Sequence, residues 1–447
     1  MTGLGVLALV CSVFPVSPTT RTALLLTFSF ALAFVVPMYV AIAIAVAIFA
    51  LFVVDALVSA KKVSVKRNMP SQLARGVPSE YRIATAAASS PISKRSEKIL
   101  AAKIRQPRCA DVELTPQEAT DDLTGTIVAL RRGKHVVPPF ATRVAGPFGL
   151  AMWHRPSTDD HVVHVYPDLP AAQRLAHSIQ QGKFATAGLK RKGPLGLGTN
   201  FESVREYFPD DDSRLVNWSA TARMGRPMSN QYRVEQDRDV MVLVDTGRLM
   251  TAPLPLDDVA EQKTHFATRL DFALDALCGI ASVSDVMGDR VGVVTFDSRV
   301  RRHLKPRRAG AQAVIKTTYD IEPLPVDSDY DAAFQRVGRS KRSFVLVLTD
   351  FVDKRSAEPL VRALNIIKKK HRVVVASVMD SEVMHLLETP PARDDYLEAS
   401  AREMARASQE AIGYIKKAGV EVIYSPHETY MVDCVKSYLQ AKQRATI

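Results

Sequence analysis

The chain has 447 residues, 47% of them hydrophobic and 24% charged, with a formal net charge of +12. That balance excludes a disordered chain, and the length calls for roughly two or three domains. Cys11, Cys109, Cys278 and Cys434 lie far apart without a CxxC pair, which argues against a disulfide framework or a zinc site and fits a reducing compartment.

From Thr22 to Val54 there is no Asp, Glu, Lys or Arg. One helix over that run would be about 50 Å long, against a hydrocarbon core of about 30 Å. Pro37 interrupts it. The pattern predicts a membrane hairpin within residues 1–60, with limbs Thr22–Val36 and Met38–Ala56; a single tilted helix over Phe34–Val54 is the alternative. Leu4–Val16 is a further short apolar stretch, truncated by Pro15 and Pro18. Lys61, Lys62, Lys66 and Arg67 follow the hairpin, and positive flanks stay cytoplasmic, so the bulk of the chain is expected on the cytoplasmic side of the membrane.

Residues 61–168 carry short apolar runs, Val63–Val65, Tyr81–Ile83, Leu123–Leu130, His135–Val137 and His161–Tyr166, which predict a β-sandwich. Pro147-Phe148-Gly149-Leu150 reads as a turn, and Ala84–Arg108 as a loose insertion or exposed hairpin. His161 and His164 are three apart, on opposite faces of a strand, so they do not make a metal site.

Arg205–Arg223 concentrates Asp, Arg, Tyr and Trp in a connecting segment, 169–237, with no regular period. Arg205, Arg214 and Arg223 are expected to pair with Asp210, Asp211, Asp212, Glu202 or Glu206, with Arg214 the first choice. Tyr207 and Trp218 are expected to anchor the segment on a domain surface.

Residues 238–447 alternate apolar runs with helical patterns. The runs Val240–Val244, Val291–Phe296, Phe344–Leu348, Val373–Val378 and Val420–Tyr424 predict a doubly wound α/β sheet. Helices are predicted through Phe266, Leu270, Ala273, Leu274, Leu277 and Ile280, and over Ala311–Tyr319, Tyr330–Val337, Ser356–Lys369 and Tyr396–Ala418. Asp245, Asp297 and Asp350 end three strands at the carboxyl edge, where such folds bind ligands. Those carboxylates serve either a cation or the capping of the loops that follow.

Ordered marks run through the chain: Arg132-Gly133-Lys134-His135, Pro147-Phe148-Gly149-Leu150, Val165-Tyr166-Pro167-Asp168, Gly196-Leu197-Gly198-Thr199-Asn200-Phe201-Glu202, Arg205-Glu206-Tyr207, Asp211-Asp212, Arg214, Trp218, Ala222-Arg223 and Asp245-Thr246-Gly247-Arg248-Leu249-Met250. By these marks the chain resembles the bacterial family called domain of unknown function 58 over nearly its full length. The resemblance implies an immunoglobulin-like β region, a von Willebrand factor A-like C-terminal domain, and association with MoxR-type AAA+ ATPases. Asp210 and Asn217 depart from that family's usual Gly and Asp. The metal-binding type A domain ends its first strand in Asp-x-Ser-x-Ser; here Gly247 and Leu249 replace both hydroxyls, Ser328 or Asp329 falls near the later Thr, and Asp350 matches the last Asp. Arg248 is therefore expected to stand in for a divalent ion between Asp245 and Asp350, with magnesium as the alternative.

The leading expectation is a non-enzymatic, membrane-anchored adaptor. A divalent-metal-dependent ligand-binding protein is the second reading. An aspartyl hydrolase using Asp245 is the third, disfavoured because Gly247 occupies the place of a second acid. Basic clusters at Arg299–His303, Lys305–Arg308 and Lys368–Arg372 lack interleaved aromatics, so they read as a solvated or lipid-facing surface and not a nucleic-acid site.

Overall fold

The computed structural model describes residues 16–60, 65–85, 102–120, 122–157, 160–181, 200–208, 211, 213–233, 238–258, 263–388 and 395–443. Most of Leu4–Val16, Lys61, Lys62, the centre of Ala84–Arg108, Gly196–Thr199, Asp210 and Asp212 lie outside them. The chain divides into two compact units, Met1–Val165 and Tyr166–Ile447.

In the first unit, helices α1 (Thr20–Leu32) and α2 (Met38–Val58) flank Pro37, which is excluded from the helix interior and stands at the start of α2. They pack on each other, and the Ser29 hydroxyl donates to the Ala41 carbonyl at 3.1 Å. Among the described residues α2 is the one helix long and apolar enough to cross a membrane. α1, at 13 residues, is roughly 20 Å long.

The strands of this unit are β1 (Val16–Pro18), β2 (Val65–Asn68), β3 (Gln72–Ala74), β4 (Ser79–Thr85), β5 (Ala102–Arg105) and β6 (Val112–Thr115). They continue with β7 (Glu118–Thr120), β8 (Asp122–Ala129), β9 (Gly133–Val137), β10 (Ala141–Ala145), β11 (Ala151–Pro156) and β12 (His161–Tyr166). Three sheets result, ordered β1-β11-β10-β5-β7, β2-β4-β8-β6 and β3-β12-β9. Alternate residues Tyr81, Ile83, Ile104, Leu123, Ile127, Val163 and Val165 meet in one core, as the strand period of two requires. Ala102–Arg105 is thus a core strand and not part of a loose insertion; its buried–exposed alternation is the sign that was passed over.

The second unit opens with α3 (Leu169–Gln180), capped by Asp168, then an antiparallel pair, β13 (Asn200–Glu206) and β14 (Met228–Arg233), joined through α4 (Trp218–Met224). Next come β15 (Asp239–Asp245), the hairpin β16 (Pro253–Asp258) and β17 (Lys263–Thr268), α5 (Arg269–Val286), β18 (Arg290–Phe296), β19 (Val300–Arg307), α6 (Ala311–Thr318) and α7 (Tyr330–Gly338). The chain ends with β20 (Ser343–Leu348), α8 (Lys354–Ile367), β21 (Arg372–Val378), α9 (Ser381–Glu388), α10 (Asp395–Lys417), β22 (Glu421–Ser425) and α11 (His427–Gln443).

The large sheet has the order β19-β18-β15-β20-β21-β22, parallel except for the edge strand β19. Val240, Val242 and Val244 face a core with Leu270, Leu274, Leu277 and Tyr438; Met241 and Leu243 face the opposite one with Phe334, Leu360 and Leu364. Burial on both faces explains the unbroken apolar runs. Phe266 does not belong to the helix: it lies on β17, exposed, and α5 begins three residues later at a Thr268–Asp271 capping box. The basic run Val300–Arg307 is an edge strand whose exposed Arg301, His303, Lys305 and Arg307 discourage sheet-to-sheet pairing. Just before β18, the buried Asp289 carboxylate accepts from Lys442 Nζ at 2.6 Å and from the Tyr438 hydroxyl, fixing α11 to the rest.

His371 precedes β21, with Nδ1 2.8 Å from Ser343 Oγ and Nε2 buried without a partner. Burial, then the charge of Lys370, lowers its pKa to about 4. Because the folded-state value lies below the unfolded one, stability is full above about pH 6.5 and declines as pH falls toward 4, by at most about 3 kcal/mol. Denaturant unfolding across that window is expected to show this decline, and His371→Asn to flatten it.

Candidate functional site

At the carboxyl end of the central strand β15, Asp245 is 1% exposed. Oδ1 accepts from the Gly247 backbone N–H at 2.8 Å and from the Ser328 hydroxyl. Oδ2 accepts from Tyr330 at 2.9 Å and from Thr349 at 2.7 Å. A buried carboxylate is costly unless its lone pairs are met, and here both oxygens are. Tyr330 and Thr349 stand 2.9 Å apart with one proton each, so donation of both to Asp245 leaves none for each other. Burial first, then the Asp245 charge, raises the Tyr330 pKa far above its ordinary value, which keeps the phenol a donor.

Gly247 is required by space and not by its backbone angle. A Cβ there would fall 2.1 Å from Ser328 Oγ and 2.8 Å from the Val326 carbonyl. Loss of the hydroxyl at position 247 is therefore matched by Ser328 reaching into the same volume.

Asp350, 4% exposed, ends β20's extension and receives the Ser377 hydroxyl at 2.6 Å and the Arg269 guanidinium at 3.2 Å. Burial raises its pKa; Arg269 and Ser377 pull the other way, and the neighbouring Asp245 raises it again. Arg269 opens α5 and also donates to the Val378 carbonyl at 2.8 Å and to Asp380 at 3.1 Å. The expectation for Arg248 is corrected here. Arg248 lies on the turn after β15 and meets Asp327 at 3.2 Å, both largely exposed; the cation at Asp350 is Arg269, and Asp245 is met by neutral donors. A single Arg inside an apolar helical pattern, directly after a capping Thr, was the available signal. Tyr330, Thr349 and Ser377 were also passed over, although Thr349 interrupts an apolar run one residue before Asp350.

Asp329 caps α7 through Ala332 N–H at 3.0 Å. Asp297 accepts from Arg299 N–H at 3.2 Å and pairs with Arg301 at 3.2 Å. Of the three strand-end acids, Asp297 thus meets the backbone of the loop that follows it. A cleft of about 500 Å³ opens beside Asp245, lined among others by Arg248, Ser328, Asp353 and Arg355.

A divalent ion does not fit these residues. Magnesium demands near-octahedral oxygen ligands, whereas the oxygens of Asp245 are occupied by donors and Asp350 by an arginine. Among the described residues no group of three or more His, Cys, Asp or Glu is arranged to hold a metal.

In the Arg205–Arg223 segment, Arg205 Nη2 meets Asp211 Oδ1 at 2.6 Å, Phe208 N–H donates to Asp211 Oδ2 at 3.0 Å, and Tyr207 donates to the Asp211 carbonyl at 3.1 Å. The Phe208 N–H, then Arg205, lower the Asp211 pKa. Arg205 is thus an arginine on Asp211; the Arg214 side chain lies outside the described residues. Glu206 pairs with Arg226 at 3.3 Å, and Arg223 is exposed on α4. Asn217 caps α4 through Ala220 N–H at 2.9 Å and donates to Asn230 at 2.8 Å, a second bond that an aspartate could not donate. Trp218 does not anchor the segment: it is 75% exposed, and Phe208 and Met224 are exposed as well.

Arg269→Gln is expected to destabilise the protein by about 3–5 kcal/mol, because a buried carboxylate loses its cation, while Arg248→Gln leaves the denaturant midpoint unchanged. The reverse ranking would refute the assignment of Arg269. Gly247→Ala is also expected to destabilise, by displacing Ser328.

Uncharacterized proteins of Mycobacterium bovis and Mycobacterium tuberculosis are 24% identical over 271 residues, 54% of this chain and 80% of each relative. The PilB minor pilin from Streptococcus sanguinis aligns with 88% of this chain and 94% of its own at 11% identity and a TM-score of 0.32. An uncharacterized membrane spanning protein from Vibrio fischeri aligns with 46% and 98% at 12% identity and a TM-score of 0.15. Neither structural likeness carries an argument. Residues 203–391, which hold Arg205, Trp218, Asp245, Arg269 and Asp350, match the family described as protein of unknown function DUF58.

Proposed function

We propose that the protein is a non-enzymatic, membrane-anchored adaptor, its bulk in the cytoplasm, that docks a MoxR-type AAA+ ATPase during assembly or maturation of other proteins. The observation that carries this reading is Trp218, an aromatic 75% exposed on the family-motif segment. Large exposed aromatics are enriched where proteins contact one another. The order of the six-stranded sheet, with one antiparallel edge and acids at the carboxyl ends, supports a von Willebrand factor A-like domain. The packed antiparallel sheets of the first unit support an immunoglobulin-like one. Asp245 is a poor nucleophile in this setting, since four donors hold its oxygens.

The test is co-purification from solubilised membranes. The unmodified protein is expected to recover a MoxR-type ATPase, and Trp218→Ala to lose most of it without change in melting temperature. Recovery of no ATPase by the unmodified protein would sink the adaptor reading; equal recovery by both would remove Trp218 from the interface.

A further inference from the structure

We propose that the turn Pro147–Leu150 belongs to a collar that rests in the lipid headgroup layer, with the Phe148 ring inserted at the boundary of the acyl chains. This rests on reading α1 and α2 as embedded in a bilayer.

The argument begins with Asp55 on the last turn of α2, a carboxylate fully shielded from solvent. Oδ1 accepts from Phe148 N–H at 2.9 Å, and Oδ2 from Leu150 N–H at 2.8 Å and Ala151 N–H at 2.9 Å. Room for the carboxylate exists because residue 146 is glycine: a Cβ there would lie 2.2 Å from Asp55 Oδ1. The start of α1 is tied to the same turn. Thr19 Oγ1 donates to the Gly149 carbonyl at 2.6 Å, and Thr22 Oγ1 and Thr19 N–H donate to the Leu150 carbonyl at 2.6 and 3.0 Å. One turn therefore holds the beginning of α1 and the end of α2, and it marks the level at which both helices leave the apolar layer.

The side chains at that level have interfacial chemistry. Phe148 is 53% exposed although its backbone is fixed by Asp55. Leu24 and Leu57, one on each helix, are also exposed. Arg21 is exposed with its guanidinium beside Gly149, in place for a lipid phosphate. Trp153 donates Nε1–H to the Ala56 carbonyl at 2.8 Å, while the Arg155 guanidinium sits 4.7 Å from its ring centroid and donates to the Ala60 carbonyl at 2.5 Å. Amphipathic aromatics and cations of this kind collect at membrane–water boundaries. A phenylalanine held rigidly outward among them fits lipid and not water.

The experiment uses the full chain in vesicles of phosphatidylcholine and phosphatidylglycerol. Cys11 and Cys109 are replaced by serine; Cys278 and Cys434 are fully buried and stay. Nitroxide labels are placed singly through Phe148→Cys, Val46→Cys on the exposed face of α2, and Lys66→Cys on β2. Electron paramagnetic resonance then reads collision with oxygen relative to a water-soluble nickel chelate. The expected ratio at 148 is severalfold above that at 66 and below that at 46. A ratio at 148 equal to that at 66, with 46 in hydrocarbon, overturns the collar and leaves the membrane reading intact; a ratio equal to that at 46 also overturns the headgroup placement. An aqueous ratio at 46 overturns both.

Discussion

A carboxylate without solvent must be satisfied from within, and the centre of the α/β unit is arranged around that requirement at Asp245. Its four donors come from distant stretches of the chain: the turn after β15, the loop before α7, the first residue of α7, and the end of β20. These contacts draw three connections, β15 to β16, α6 to α7 and β20 to α8, together over one strand end. Each bond is worth only about 1–3 kcal/mol net, but leaving any acceptor unmet costs more than forming it gains. The edge is consequently a closed polar cluster. Asp350, one strand over, is buried and also lies near Asp245, and α5 supplies it with a cation, Arg269.

The same logic recurs at Asp55 and Asp289. Asp55 is met by backbone N–H groups of one turn, and Asp289 by Lys442, Tyr438 and the Arg238 N–H. Each buried acid fastens elements that hydrophobic packing alone would leave free to slide: a helix pair to a β-sheet, the last helix to the first strands, and loops to one another. The apolar surfaces give most of the stability, while the acids fix register. Against this inward-directed chemistry, the Arg205–Met224 segment is distinct, because Phe208, Trp218 and Met224 are exposed on it.

Elements were legible wherever one physical signal dominated. The buried parallel strands appear as unbroken Val and Leu runs, and their ends fall within a residue or two of the structure. Pro37 divides the apolar N-terminal run, and the helices lie on either side of it. The signal failed where two readings share one composition. Val300–Arg307 reads as a basic cluster because an edge strand carries its charges on alternate positions, and Ala102–Arg105 was lost inside a charged, alanine-rich stretch. At the site, Asp245 and Asp350 could be placed from strand ends, but their partners could not. Nearness in sequence favoured Arg248, three residues from Asp245, whereas packing brings Arg269 from the following helix. Trp218 shows the limit of propensity: large aromatics usually bury, and only the three-dimensional placement reveals one that does not.

Calorimetric titration of the full-length protein with magnesium chloride, beside an Asp245→Asn variant, tests most directly whether this acidic edge is satisfied by its own side chains. Internal satisfaction predicts the same featureless heats for both proteins. Saturable binding to the unmodified protein that disappears in Asp245→Asn would contradict it, because an ion could then displace Ser328, Tyr330 and Thr349 from that carboxylate.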